Sequence, residues 1–216
     1  MSELFKRALT SIPLIGGLIA LAYSPFWLFI GCIALILALM LILEWPRFFS
    51  PSSIYFWVIM PFYPLLPFIA LTALHYSYGP IIIVFLFGLA GIHDTGSYIA
   101  GKLWGTYKIF PAISPGKTAE GCIGGFLATL MWVSILFKST SSWTLTIAWA
   151  FIFTLTALTG DLFESALKRA AGIKHSGNLL PGHGGLFDRF DSLMFVALIA
   201  FTTRHILIPL IRTSLL

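Results

Sequence analysis

The sequence predicts an all-α membrane protein, a polytopic bundle of about seven transmembrane helices that forms a single domain over residues 1–216. Hydrophobic residues make up 58% of the chain and charged residues 10%, against about 45–50% and about 25% in soluble domains. Apolar stretches of roughly 20 residues, the length that crosses a bilayer as a helix, recur from one end to the other. This composition leaves no room for a separate soluble domain.

Seven apolar stretches account for the predicted helices. They cover residues 8–23, 26–45, 54–74, 80–100, 119–137, 143–160 and 192–212. The first follows Lys6 and Arg7 and could pass for a secretory signal peptide. Because further spans follow it at once, we expect it to remain as a transmembrane helix.

The distribution of Lys and Arg predicts the orientation in the membrane. Seven spans place the N-terminus, the loop at Arg47, residues 102–117 and residues 161–191 on one side. That side carries ten Lys and Arg residues, and the other carries two outside the spans. Positive charge concentrates in cytoplasmic loops. We therefore expect a multi-pass protein of the cell inner (cytoplasmic) membrane, with these segments in the cytoplasm.

Six of the eight acidic residues lie in or beside two of these cytoplasmic segments. They are Asp94, Glu120, Asp161, Glu164, Asp188 and Asp191. Asp94 lies late in an apolar span, where an ionised carboxylate costs on the order of 3 kcal/mol. We expect Asp94 to face a polar cavity that opens to the cytoplasm between its own helix and the last two helical segments. The alternative is an Asp near enough to the interface to be solvated.

Residues 159–192 form the least lipid-like part of the chain and suit a site for magnesium and phosphate. On a helix, Asp161, Glu164, Ser165 and Lys168 would share one stripe. The glycine-rich stretch 181–185 lets the backbone approach a ligand closely. Carboxylates are hard ligands for magnesium, and cations bind phosphate oxygens. The cations of this segment are Lys168, Arg169, Lys174 and Arg189.

Asp188 and Asp191 would share one face at the start of the last helix. Asp188 alone could be an ordinary N-cap, since Asp is common in a first helical turn. The loop over 101–121 contains Ser114-Pro-Gly-Lys-Thr118, which resembles a phosphate-binding turn but lacks the spacing of a Walker A loop. Its lysines could instead hold lipid headgroups.

The run from Ser165 to Asp191 resembles the signature of the phosphatidate cytidylyltransferases, also called CDP-diglyceride synthetases. The resemblance extends to residues 94–98, 114–121 and 159–165. It therefore covers the chain from about residue 90 onward. By this resemblance, residues 91–216 form the catalytic part and residues 1–90 supply N-terminal helices.

The resemblance implies a magnesium-dependent enzyme that transfers CMP from CTP to phosphatidic acid, giving CDP-diacylglycerol and pyrophosphate. Matching positions imply that the metal ligands are Asp161, Asp188 and Asp191. The other implied catalytic positions are Lys168, Arg169, Lys174, His183 and Arg189. The implied substrate-binding positions are Asp94, Ser114, Lys117, Glu120 and Ser165. Expected partners are CTP, phosphatidic acid and membrane lipids, with no nucleic acid; a second, monovalent cation and a homodimer are left open.

Two departures from the family pattern qualify this interpretation. The family has Asp where this chain has His175, and we expect that position to lie outside the direct ligands of the metal. The chain is also shorter than most members, and we expect the missing helices to be scaffold. Two other functions are left open: a membrane CTP-dependent enzyme with an isoprenoid acceptor, and a transporter in which Asp94 binds a cation.

Overall fold

The structure is a computed structural model that describes residues 16–137, 142–179 and 184–212. Residues 16–22 are helical. The helices that follow are α1 (Phe26–Phe48), α2 (Ile54–Tyr78), α3 (Pro80–Trp104), α4 (Ala119–Leu136), α5 (Trp143–Ala170), α6 (Phe187–Thr202) and α7 (Arg204–Arg212). These described segments contain no β-strand, and Lys108 and Thr118 form an antiparallel bridge.

The helices confirm the prediction of an all-α membrane bundle. Each of α1 to α5 is long and apolar enough to cross a membrane, and α6 with α7 would make a sixth span if the bent pair counts as one. The described residues therefore supply five or six spans, and the predicted number of seven is not confirmed. Much of the first predicted span, residues 8–15, lies outside the described residues.

Two of the predicted spans differ from the helices observed. Helix α5 runs ten residues past its predicted end at 160, since its polar last turns find partners within the protein. The single span predicted over 192–212 begins at Phe187 and bends by 96° after Thr202. At the bend, the hydroxyl of Thr203 donates to the carbonyl of Ile199 at 2.6 Å, and the guanidinium of Arg204 donates to that of Phe201 at 2.7 Å.

Helices α3 and α4 pack closely because glycines line their contact. A Cβ atom added at Gly96 would lie 2.8 Å from the carbonyl oxygen of Gly124, and it would also meet the Cβ of Ala128. Small residues of this kind let helix backbones approach within a membrane, where dispersion contacts replace the hydrophobic effect. The contact fixes Asp94 on α3 relative to the first turn of α4.

Aromatic packing joins the end of α1 to the start of α6. The rings of Trp45 and Phe187 are both fully buried and stack with their centroids 5.9 Å apart. The indole nitrogen of Trp45 also donates to the carbonyl of Phe56 at 3.1 Å, which ties in the start of α2. This packing holds the beginning of α6, where Asp188 lies, against the N-terminal half of the chain.

We predict that Gly96→Ala lowers the free energy of unfolding by about 1–3 kcal/mol, because the new methyl group must displace the backbone of α4. The matched control is Gly91→Ala on the same helix, where an added Cβ meets nothing within 4 Å. Thermal unfolding of both variants in detergent measures the difference. Equal melting temperatures for the two variants would contradict the close packing of α3 on α4.

Candidate active site

A cavity of about 280 Å³ with several charged and polar side chains in its wall lies at one end of the helix bundle. Its wall includes Asp94 from α3, Ser114 and Lys117 from the loop that follows, Cys122 from α4, and Asp161 from α5. The cavity adjoins Asp94, as predicted from the sequence. Its wall differs from the prediction, since α4 and the loop over 105–118 take the place expected for α6, which contributes none of the described lining residues.

An ion pair between Lys117 and Asp161 joins the loop to α5 inside the cavity. Both side chains are about one-fifth exposed, so water still reaches the pair. Burial alone would lower the pKa of Lys117, but the Asp161 carboxylate outweighs burial and holds that pKa above its usual value. Lys117 therefore stays cationic at neutral pH and presents a positive charge to the cavity.

The loop over 105–118 is held in place by contacts at both of its sides. The hydroxyl of Thr106 donates to the Glu120 carboxylate at 2.5 Å. The guanidinium of Arg169 donates to the carbonyls of Ile113 at 3.2 Å and Ile173 at 3.3 Å. Glu120 and Arg169 thus position the loop that carries Ser114 and Lys117. Direct contact of Glu120 or Arg169 with a substrate stays a prediction.

A second charged cluster joins the end of α5 to the start of α6. The ammonium of Lys168 lies 2.5 Å from the Glu164 carboxylate and 2.6 Å from that of Asp188. The Glu164 side chain is fully buried and that of Asp188 is 9% exposed. Asp188 also accepts hydrogen bonds from the backbone amides of Ser176 at 3.2 Å and Gly185 at 2.9 Å. The stripe predicted on α5 therefore meets the first turn of α6.

Asp191 is buried and interacts with acids of both charged groups, the Lys117–Asp161 pair and the cluster around Lys168. Its carboxylate is buried and accepts from the backbone amide of Ser192 at 2.7 Å. It interacts electrostatically with the carboxylates of Asp94, Asp161 and Glu164. Five acidic side chains thus lie in the same region as the cations of Lys117, Lys168 and Arg189.

Magnesium fits this region in the chemistry of its donors, because carboxylate oxygens are the ligands it prefers. One oxygen of Glu164 is buried and has no hydrogen-bond partner among the residues that the structure describes, which marks an unfilled acceptor beside Lys168. No three His, Cys, Asp or Glu side chains converge as a preformed metal site within the described ranges. The assignment of Asp161, Asp188 and Asp191 as magnesium ligands stays a prediction.

The remaining predicted residues fall in different surroundings. Ser165 donates to the Asp161 carboxylate at 3.4 Å and so belongs to the wall of the site. Lys174 and Arg189 are exposed beside it. His175 is 59% exposed, and its ring lies 3.9 Å from the Asp188 carboxylate. His183 lies outside the described residues.

The predicted site does not include Glu44, which lies near the end of α1, is 1% exposed and resembles the family pattern only faintly. Its carboxylate accepts from the hydroxyl of Ser176 and the backbone amides of Leu186 and Phe187. The available signal was an acidic residue at the end of a strongly apolar span. Glu164 was seen as part of the α5 stripe but not included in the predicted site.

The fold and the site together define a class: a polytopic membrane protein with a charged, phosphate-compatible cavity at one end of its helix bundle. The chain belongs to the cytidylyltransferase family, whose model matches residues 8–207. It is similar to proteins named phosphatidate cytidylyltransferase from Staphylococcus saprophyticus, Staphylococcus haemolyticus and Staphylococcus aureus. The identities are 46%, 45% and 44%, each over 118 residues.

Each of these alignments covers 53% of this chain and 45% of the relative. The chain thus spans about half the length of the curated relatives it matches.

We predict that Lys168→Met lowers the free energy of unfolding by about 3–5 kcal/mol, because it leaves the buried carboxylate of Glu164 without its cation. The double variant Lys168→Met with Glu164→Met should recover part of this loss, since both charges are then removed. Denaturant titrations in detergent compare the two, with the exposed Lys174→Met as control. A double variant less stable than the single one would contradict the pairing.

Proposed function

We propose that the chain is a phosphatidate cytidylyltransferase, which transfers CMP from CTP to phosphatidic acid and releases pyrophosphate. The observation that carries the proposal is the cavity in which Lys117 faces Asp161, in a chain of the cytidylyltransferase family. The named relatives support phosphatidic acid as the acceptor. A cavity with charged side chains beside apolar helices suits a reaction between a soluble nucleotide and a membrane lipid.

In the proposed reaction, a phosphate oxygen of phosphatidic acid attacks the α-phosphorus of CTP. A new phosphoanhydride bond forms, and the bond between the α- and β-phosphates breaks as pyrophosphate leaves. Such transfers depend mainly on positioning and on stabilising the charge of the phosphate oxygens. Lys117 is fixed at the cavity wall by Asp161. It would bind a triphosphate oxygen without large reorganisation, which is the main source of electrostatic stabilisation.

The acidic residues would serve the same transfer by holding magnesium. Asp161, Asp188 and Asp191 are the proposed ligands, and Asp94 faces the cavity where the nucleotide would enter. Bound there, magnesium would offset the negative charge of the phosphate oxygens. Lys168 keeps Asp188 in place and is itself held by Glu164. Lys174 and Arg189 lie exposed beside the site, where they suit the phosphate of an incoming lipid.

We further propose that the protein lies in the cell inner membrane and that the cavity opens on the cytoplasmic side. Lys102, Lys108, Lys117, Lys168 and Lys174 all lie at or near the end of the bundle that carries the cavity. Cytoplasmic loops concentrate such residues, and CTP is supplied from that side. A dimer and a second, monovalent cation are compatible with this proposal but have no support in the described contacts.

The test is an assay with labelled CTP, phosphatidic acid and magnesium in detergent, following lipid product and pyrophosphate together. We expect wild-type activity that EDTA abolishes, and a loss of about 10²–10³-fold in kcat for Lys117→Gln. The matched control is Lys108→Gln, an exposed lysine of the same loop, which should stay within about twofold of wild type. Asp188→Asn should also be inactive.

Three results would overturn the proposal. Product formed only with an isoprenoid phosphate would reassign the acceptor. Ion or lipid flux without pyrophosphate release would indicate a transporter. No turnover under conditions in which a staphylococcal relative works would reject the enzyme itself.

We also predict that CTP protects Cys122 from alkylation, because its side chain lines the cavity. The chain has two cysteines, so Cys32→Ser leaves Cys122 as the single thiol. At ten times its dissociation constant, CTP should slow modification by a small water-soluble reagent about tenfold. In the control variant Cys122→Ser, modification of Cys32 should be independent of CTP. Unprotected Cys122 at a CTP concentration that saturates turnover would place the nucleotide elsewhere.

A further inference from the structure

The carboxylate of Glu44 connects two parts of the chain that are far apart in sequence. It accepts from the hydroxyl of Ser176 at 3.0 Å and from the backbone amides of Leu186 at 2.7 Å and Phe187 at 2.9 Å. These partners lie 132 to 143 residues after Glu44. One side chain on α1 therefore holds both ends of the segment over 176–187, which leads into α6.

Ser176 is fully buried, and each of its polar groups has a partner. Its hydroxyl donates to Glu44, its backbone amide donates to Asp188 at 3.2 Å, and its carbonyl accepts from the guanidinium of Arg47 at 3.0 Å. Arg47 lies one turn after Glu44 on α1. Two residues near the end of α1, Glu44 and Arg47, thus form hydrogen bonds with Ser176, and Asp188 forms a third.

The backbone on both sides of Glu44 is shaped around its carboxylate. A Cβ added at Gly177 or at Gly185 would lie 2.6 Å from a carboxylate oxygen of Glu44. This is closer than real Cβ atoms come to oxygen, so side chains at these positions would displace the carboxylate or the segment. Two glycines and three converging donors are independent signs that the site is built for this one acid.

Glu44 and Asp188 hold the same two ends of the segment. Asp188 accepts from the amides of Ser176 and Gly185, and Glu44 accepts from the hydroxyl of Ser176 and from the next two amides after Gly185. A shift in Glu44 must therefore move the partners that fix Asp188. Asp188 in turn holds Lys168 at the end of α5.

We propose that Glu44 is a positioning residue for the transfer reaction, acting through Ser176 and the first amides of α6 to set the location of Asp188. The inference rests on the proposed function. This role requires a carboxylate at position 44. Three donors point at the side chain, and both oxygens of a carboxylate can accept hydrogen bonds. An amide side chain would turn its own N–H₂ toward a donor. The negative charge also complements the positive end of the α6 dipole.

The experiment compares Glu44→Gln and Glu44→Asp with the wild-type full chain in detergent. In Glu44→Gln, kcat should fall about 10–100-fold while KM for CTP changes by less than about threefold, because misplacing a catalytic group by an ångström has effects of this size. Glu44→Asp keeps the charge and should recover part of kcat. The backbone amides of Leu186 and Phe187 donate to different oxygens of Glu44. In Glu44→Gln at least one of the two should exchange hydrogen about tenfold faster, since an amide side chain keeps one acceptor oxygen of the two.

The control for loss of stability is Ile33→Ala, which removes a buried side chain about three turns earlier on the same helix. A fall in kcat for Glu44→Gln that Ile33→Ala reproduces at an equal drop in melting temperature would overturn the positioning role. So would a kcat within about twofold of wild type. If the wild type forms no product, the proposed function fails first; unchanged amide exchange in Glu44→Gln would then overturn this inference separately.

Discussion

The site depends on matching buried carboxylates with cations in an apolar helix bundle. A charge removed from water without a partner is costly, and inside a membrane protein few groups can supply the partner. Lys117 with Asp161, and Lys168 with Glu164 and Asp188, meet this requirement. The pairs Lys117–Asp161 and Lys168–Asp188 join different segments of the chain, so the compensation of charge also determines which helix ends meet. The same arrangement places carboxylates, which suit a metal ion, beside cations, which suit phosphate oxygens.

Several charged residues stabilise the loops around the cavity and do not line the cavity itself. Glu120 and Arg169 position the loop over 105–118, and Glu44 holds the segment over 176–187. Loops at a membrane surface lack the regular hydrogen bonds of helices, and their polar groups need other partners. Carboxylates and guanidinium groups can accept or donate several hydrogen bonds each. A site on such loops therefore needs charged residues for its architecture as well as for its chemistry.

Hydropathy located the helices well where each span is uniformly apolar. The predicted starts at 26, 54, 80, 119 and 143 agree with the helices Phe26–Phe48, Ile54–Tyr78, Pro80–Trp104, Ala119–Leu136 and Trp143–Ala170. It failed at the last span, where α6 starts before the apolar stretch and the chain bends after Thr202. The first turn of α6 is polar, and Glu44 accepts from the amides of Leu186 and Phe187 at this helix start. Hydropathy depends only on neighbouring residues, so it cannot detect a hydrogen-bond partner that is distant in the sequence.

The sequence by itself determined the class of fold, the family and the segments that form the site, because hydropathy and motifs are local properties of the chain. It also marked Asp94 as a residue of a polar cavity. Only the tertiary structure decided that Lys117 faces Asp161, that α4 completes the cavity wall, and that Glu44 serves the segment before α6. These contacts join residues from 44 to 143 positions apart. Their geometry follows from how the helices pack, which no local pattern records.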